Sequence, residues 1–211
     1  MSKIAKKNLL KRTVEAAEED TIELVPAVDA THFDVEFAPG KRLVYLHFGG
    51  REFIHIREYG SMGGRLYPTK KGVCLTPSRL RALQERISTI DELLAQLEMN
   101  DAYGVTVGGE DPLYKQHLGG AIYASVSEKY QGVNLRRHFT PPAQNILIVP
   151  TKNGIYLPLT QWGALKTKLV ELFTQFPKLK EAVECSMSHG GNQMETFDCR
   201  ECTPFGYDVT D

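Results

Sequence analysis

One phrase is written twice in this chain of 211 residues. Residues 68–75 read Pro68-Thr-Lys-Lys-Gly-Val-Cys-Leu75, and residues 150–157 read Pro150-Thr-Lys-Asn-Gly-Ile-Tyr-Leu157. Each copy follows a strand-like segment that ends in arginine, Phe53-Ile-His-Ile-Arg57 and Val133-Asn-Leu-Arg-Arg137. Each is followed by a helical run, from about Pro77 and from about Thr160. A period of this length is too long for a solenoid and points to two copies of one small unit. A unit of roughly 60 residues is near the lower limit for an independent core, so the two copies are expected to pack intimately.

Charge is distributed unevenly. The formal net charge is only −1, yet residues 41–90 carry ten Lys or Arg against three Glu. A basic central module in a near-neutral chain suits an anionic partner, although a solvated face is the plain alternative. Residues 1–20 are charged throughout and are expected to be a flexible tail. The N-terminal segment has lysines and arginines without an apolar core, and no apolar run approaches a membrane span. The expectation is an intracellular protein with reduced thiols.

Alternation of apolar and polar residues predicts strands at 21–25, 32–37, 42–48 and 51–59. In the last of these, Ile54 and Ile56 share one face, while Arg51, Phe53, His55 and Arg57 share the other. Gly49-Gly50 is a hairpin signal, residues 61–64 a loop, and Thr69-Lys70-Lys71 a turn between two short strands. Thr76-Pro77 starts a helix, and Thr89-Ile-Asp-Glu92 resembles a capping box that would open a second helical piece over 90–97. Residues 98–112 have linker composition. In the second copy, strands are predicted at 121–126, 133–139, 146–149 and 154–157. A helix follows from about Gln161 to Phe176, with Trp162, Leu165, Leu169 and Leu172 on its inward stripe.

The segments Phe48-Gly-Gly-Arg51, Ile54-His-Ile-Arg-Glu-Tyr59 and Pro68–Pro77, followed by an amphipathic helix, resemble a known family. It is the C-terminal domain of the RNA polymerase II transcriptional coactivator positive cofactor four. The resemblance covers about His32 to Leu97, and a more divergent copy covers about Tyr114 to Lys180. It implies an α+β fold: two tandem units, each a four-stranded antiparallel sheet with a C-terminal helix, forming an intrachain pseudo-dimer. The domain limits expected are 21–97 and 113–180, followed by a Cys/His tail over 181–211.

The resemblance also implies binding of single-stranded or melted DNA without catalysis, in the nucleus and alongside transcription proteins. By position it assigns Phe48, Arg51, Arg57, Lys70 and Lys71 as contacts in the first copy. In the second it assigns Arg136, Lys152, Phe139 and the hairpin residue Tyr130. Phe53, on the cationic face, is a further candidate plate for base stacking. Gly60 stands where the family has a tryptophan, so the first copy is expected to lack one aromatic platform. The alternative reading is a protein-interaction module with weakened DNA binding. Further self-association is left open.

Cys185, His189, Cys199 and Cys202 form a set with the spacing of a structural zinc site, a Cys-x3-His pair and a Cys-x2-Cys pair. The other reading is three unrelated thiols and a surface histidine. No G-x-S-x-G, P-loop or H-E-x-x-H motif is present.

Overall fold

The computed structural model describes residues 30–103, 112–141 and 148–205. The strand expected at 21–25 and the first half of the one at 146–149 lie outside them. The chain forms two four-stranded antiparallel meanders of the same topology. The first comprises β1 (Ala30–Ala38), β2 (Lys41–Phe48), β3 (Arg51–Met62) and β4 (Arg65–Leu75), in the order β1-β2-β3-β4. Helix α1 (Pro77–Ala102) follows. The second comprises β5 (Tyr114–Gly119), β6 (Ile122–Ser127), β7 (Gly132–Phe139) and β8 (Val149–Pro158), in the order β5-β6-β7-β8. Helix α2 (Leu159–Gln175) follows, then a short 3-10 turn at Pro177–Lys180 and the small helices α3 (Cys185–Ser188) and α4 (Gln193–Asp198).

Alternation sets the faces of the first sheet. Tyr45, Leu43, Ile54, Ile56, Val73 and Leu75 point to the helices and are buried. Arg42, Phe48, Arg51, Phe53, His55 and Arg57 lie on the opposite, outer face, because the register pairs Arg42 with Arg57, Val44 with His55, Leu46 with Phe53 and Phe48 with Arg51.

Three expectations are corrected. The helix after Pro77 does not break at Thr89. Thr76 caps it, its side chain accepting from the Arg79 amide, and one helix of 26 residues continues to Ala102. Leu80, Leu83, Ile90, Leu94 and Leu97 are buried along it, so the apolar stripe runs straight through the capping-box-like tetrad. Burial of each such side chain contributes about 1.5–3 kcal/mol, so Ile90, Leu94 and Leu97 together outweigh a single local cap. Residues 61–64 are not a loop: β3 continues to Met62, and only Gly63-Gly64, both with positive φ, make the turn. Thr69-Lys70-Lys71 is not a turn between two strands either. It is a bulge within the continuous strand β4.

The two units share one apolar core, which runs from Phe33 and Tyr45 through Leu94 to Leu135, Trp162 and Leu172. The packing is reciprocal. Helix α1 reaches β5 and β6 of the second unit, helix α2 reaches β1 of the first, and β4 meets β8. Exchange of the two units turns the α1–β5 contact into the α2–β1 contact and leaves β4–β8 in place, which is the mark of a pseudo-two-fold axis. Polar contacts reinforce it. Trp162 is core, with Nε1 donating to Asp91 Oδ1 at 2.7 Å, and Lys166 Nζ lies 2.5 Å from Asp91 Oδ2. Lys178 Nζ reaches Glu52 Oε1 at 2.6 Å, and Lys41 Nζ donates to Tyr156 O at 3.0 Å.

Candidate nucleic-acid interface and metal cluster

The twice-written phrase forms the same local structure twice. In the first unit Arg57 pairs with Gly72 and Tyr59 with Pro68, so residues 69–71 stand opposite Glu58 alone. In the second, Arg136 pairs with Gly154 and His138 with Pro150, so residues 151–153 stand opposite Arg137. Two extra residues thus arch out of the ladder in each case, a bulge that bends the strand and re-aims side chains.

Four groups pin each arch. Arg57 Nη1 donates to Thr69 O at 2.6 Å, and Arg136 Nη1 to Thr151 O at 2.7 Å. Thr69 Oγ1 donates to Glu58 O and Thr151 Oγ1 to Arg137 O, both at 2.7 Å. The same hydroxyls accept from the Lys71 amide at 3.2 Å and the Asn153 amide at 3.1 Å. The glycine completes the set. A Cβ added at Gly72 would lie 2.6 Å from Arg57 Cα, Cβ and Cγ, and one at Gly154 would lie 2.8 Å from Arg136 Cγ. Glycine is required because the arginine stem crosses its backbone. Arginine, threonine and glycine thus hold the arch, and the lysines ride on it.

Phe48, Arg51, Phe53 and Arg57 share the outer face of the first sheet. Arg51 is exposed beside the Gly49-Gly50 turn, and Phe48 and Phe53 are half-buried. Six strand residues separate Arg51 from Arg57, roughly 20 Å at strand rise. Lys70 and Lys71 are exposed on the arch, and Lys71 Nζ lies 3.0 Å from Glu58 Oε1. In the second unit Lys152 is exposed on its arch, and Asn153 replaces the second lysine. Tyr130 is exposed at the β6–β7 hairpin, which corresponds to the Gly49-Gly50 turn. Its carbonyl accepts from Tyr156 Oη, and Lys129 Nζ sits 5.4 Å from the centre of its ring.

Phe139 is exposed at the end of β7, but strand alternation puts it on the side opposite Arg136. The outer face near Arg136 carries instead a ring cluster that sequence reading did not single out. His117 and Tyr123 have centroids 5.0 Å apart, Tyr123 and His138 4.7 Å, and Lys115 Nζ lies 5.0 Å above the Tyr123 ring. Burial, with the neighbouring Lys115 charge, holds His138 down to about 4. On the first sheet burial, with Arg57, does the same to His55, also to about 4. These imidazoles are neutral at physiological pH, so the positive charge on both faces belongs to lysine and arginine.

Cys185, His189, Cys199 and Cys202 converge, with one ligand atom from each all within 4.8 Å of one another. Cys185 Sγ lies 3.6 Å from Cys199 Sγ and 3.7 Å from His189 Nε2, and Cys202 Sγ lies 3.4 Å from His189 Nε2. A tetrahedral ion with metal–sulfur bonds of about 2.3 Å needs donor–donor edges of about 3.8 Å. The donor set therefore fits a metal in both chemistry and size. The thiols are free of disulfides. Burial and the neighbouring Cys185 thiol push Cys202 up to about 12, as expected for thiols crowded together without a compensating cation.

This cluster is anchored to both units. Glu201, between two of its cysteines, accepts from Arg79 Nε and Nη2 on α1, both at 2.5 Å. Its carbonyl accepts from the Gly120 amide on the β5–β6 hairpin at 2.7 Å. Glu184, next to Cys185, pairs with Arg86 of α1 at 2.6 and 3.0 Å. Sequence reading found the four clustered residues and missed these anchors, because a carboxylate beside a cysteine carries no signal of a distant arginine.

Residues 39–86 match the family model described as Transcriptional Coactivator p15 (PC4). The match spans β2, β3, β4 and the first turns of α1, and so contains Phe48, Arg51, Phe53, Arg57, Lys70 and Lys71. The second unit lies outside it. No curated protein matches the chain.

Proposed function

We propose that this chain binds single-stranded or locally melted DNA without catalysing a reaction, and acts as a transcriptional-coactivator-like protein in the nucleus. The observation that carries this reading is the family match over 39–86, which falls on the arch of β4 and the cationic face of β3. A single strand offers phosphates and unpaired base faces, so its binder needs cations along a path with aromatic plates between them. Arg51, Lys70, Lys71 and Lys152 supply charge, while Phe48, Phe53, Tyr130 and Phe139 supply plates. Arg57 and Arg136 act by holding the arches in place. In this reading the reciprocal packing of the units presents two strands' worth of surface, as a melted duplex would require, and transcription proteins are the other partners.

The Cys/His cluster is read as a structural zinc site. All four donors come from the protein, which leaves no open position for catalysis. Bound there, the ion would supply order to the tail and compensate the thiolates.

A second reading is a protein-interaction module. It is supported by Met62 and Leu66, exposed at the tip of the β3–β4 arm. Titration of labelled single-stranded, bubble and duplex oligonucleotides across a salt series separates the two. Binding to single strands with affinity falling by roughly 0.7 decades per decade of salt for each phosphate contact supports the first reading. No binding at low salt would overturn it.

A further inference from the structure

The resemblance implies that the first unit lacks an aromatic platform at Gly60, and across the β3–β4 hairpin another aromatic lies over that glycine. Gly60 pairs with Tyr67 of β4. The Tyr67 ring lies over the glycine, so that a Cβ added there would meet the ring, at 2.5 Å from Oη and 2.9 Å from Cε1. The ring thus occupies the space that a larger residue at position 60 would fill. It is also open to solvent on its other side, with 46% of the residue exposed.

The second unit gives the comparison. Gly60 lies three residues beyond Arg57, and Phe139 lies three residues beyond Arg136. Phe139 pairs with Val149 and is 44% exposed. The two cross-strand pairs are the same rung of the two hairpins. Each holds one solvent-facing aromatic and one small or β-branched partner, with the strands exchanged. Each rung also sits directly beside an arch, since Tyr67 precedes Pro68 and Val149 precedes Pro150. A ring and a lysine on neighbouring stretches of one hairpin offer a single strand a stacking surface and a phosphate contact.

We infer that Tyr67 is a base-stacking residue of the first unit, equivalent in position to Phe139 of the second, so that both units present an aromatic plate at the same rung. This inference rests on the proposed single-strand binding. A purely structural role would be to cover the glycine, as aromatic residues do for glycines in exposed strands. The two roles differ in what they read: stacking requires a base, and covering a glycine does not.

The test uses the full chain, an oligo(dT) and an abasic oligomer of the same length, with binding followed by anisotropy at several salt concentrations and folding checked by thermal melting. Tyr67→Ala is expected to weaken oligo(dT) binding roughly 5- to 100-fold with the salt slope unchanged. The wild type is expected to discriminate oligo(dT) from the abasic strand by more than the variant does, and Tyr67→Trp to restore the difference. If wild type and Tyr67→Ala bind and discriminate equally, the inference is overturned while single-strand binding stands. If the wild type binds neither strand, the functional reading falls and the inference with it.

Discussion

Arg57 holds Thr69: its Nη1 donates to the threonine carbonyl at 2.6 Å, across the arch that interrupts the β3–β4 ladder. Arg136 and Thr151 repeat the bond in the second unit. Each bond uses one of the guanidinium's five N–H donors and fixes where the group sits. Its larger effect is to fix the curvature of the arch and so the place of the lysines on it. Around the arches the cations are of two kinds: Arg57 and Arg136, which bond the strand, and Lys70, Lys71 and Lys152, which are exposed.

The glycine of the phrase should therefore be intolerant of substitution although it lies in a strand. Gly72→Ala would drive a Cβ to 2.6 Å from the Arg57 backbone and stem, and Gly154→Ala would crowd Arg136. The neighbours are backbone and inner side-chain atoms that cannot swing away. Each substitution is expected to cost roughly 1–3 kcal/mol, read from the shift of a urea-unfolding curve. A variant as stable as the wild type would show that the arch does not depend on this close approach.

Glu58 competes with any anion for Lys71, which it holds at 3.0 Å. The pair is surface-exposed on the lysine side, so it is worth at most about 1 kcal/mol. Glu58→Gln leaves the backbone carbonyl that accepts from Thr69 in place and releases the ammonium. Single-strand affinity is expected to rise by up to roughly fivefold at low salt, with the gain shrinking as salt is added. Unchanged affinity would place Lys71 away from the nucleic acid.

The repeat, the strand faces and the Cys/His cluster are legible in the sequence, because each is a matter of spacing along one strand or one tail. Ile54 and Ile56 against Arg51 and Arg57 needed only period two. The arch was misread as a turn because Pro-Thr-Lys-Lys-Gly has turn composition, and only the pairing partner, Arg57, reveals that the strand continues on both sides. The helix was split at Thr89 because a local capping signal was weighed without the buried Ile90, Leu94 and Leu97 beneath it. Tyr67 was missed for a related reason. Its ring lies over Gly60 on the neighbouring strand, and cross-strand neighbours are invisible until the register is known.

Acid should weaken the fold before its carboxylates titrate. His55 and His138 are each held down to about 4, chiefly by burial, against an ordinary value of 6.5. Between those limits the unfolded chain binds more protons than the folded one, so stability falls as pH falls. The slope is up to about 1.4 kcal/mol per pH unit for each histidine. Burial acts to raise Glu52, but hydrogen bonds from Lys178, Tyr45 and His47 outweigh it and bring it to about 2, so its contribution is lost only below about pH 4.5. Melting temperature measured from pH 7 to pH 4.5 is expected to drop steadily. In the His55→Gln, His138→Gln double variant the drop should be shallower. An equal drop in the variant would assign the acid lability to other groups.

Metal removal should loosen more than the tail that holds the ligands. Glu201 ties the cluster to Arg79 of the first unit and, through its carbonyl, to Gly120 of the second. An ion that orders residues 185–202 therefore also orders a contact bridging both units. Cobalt(II) added to the reduced protein is expected to bind one equivalent per chain, with the visible absorption of a tetrahedral thiolate site, and zinc should displace it. At a free-zinc concentration of 100 times Kd the folded state gains about 2.7 kcal/mol, so chelation should lower the melting temperature measurably. Cys199→Ser should abolish the absorption and melt like the chelated wild type. Arg79→Gln should retain metal binding yet lose part of the stabilisation, because it cuts the link between the ordered cluster and α1. Full metal stabilisation in that variant would show that the cluster folds as an isolated knot, and absence of a cobalt spectrum in the wild type would sink the site itself.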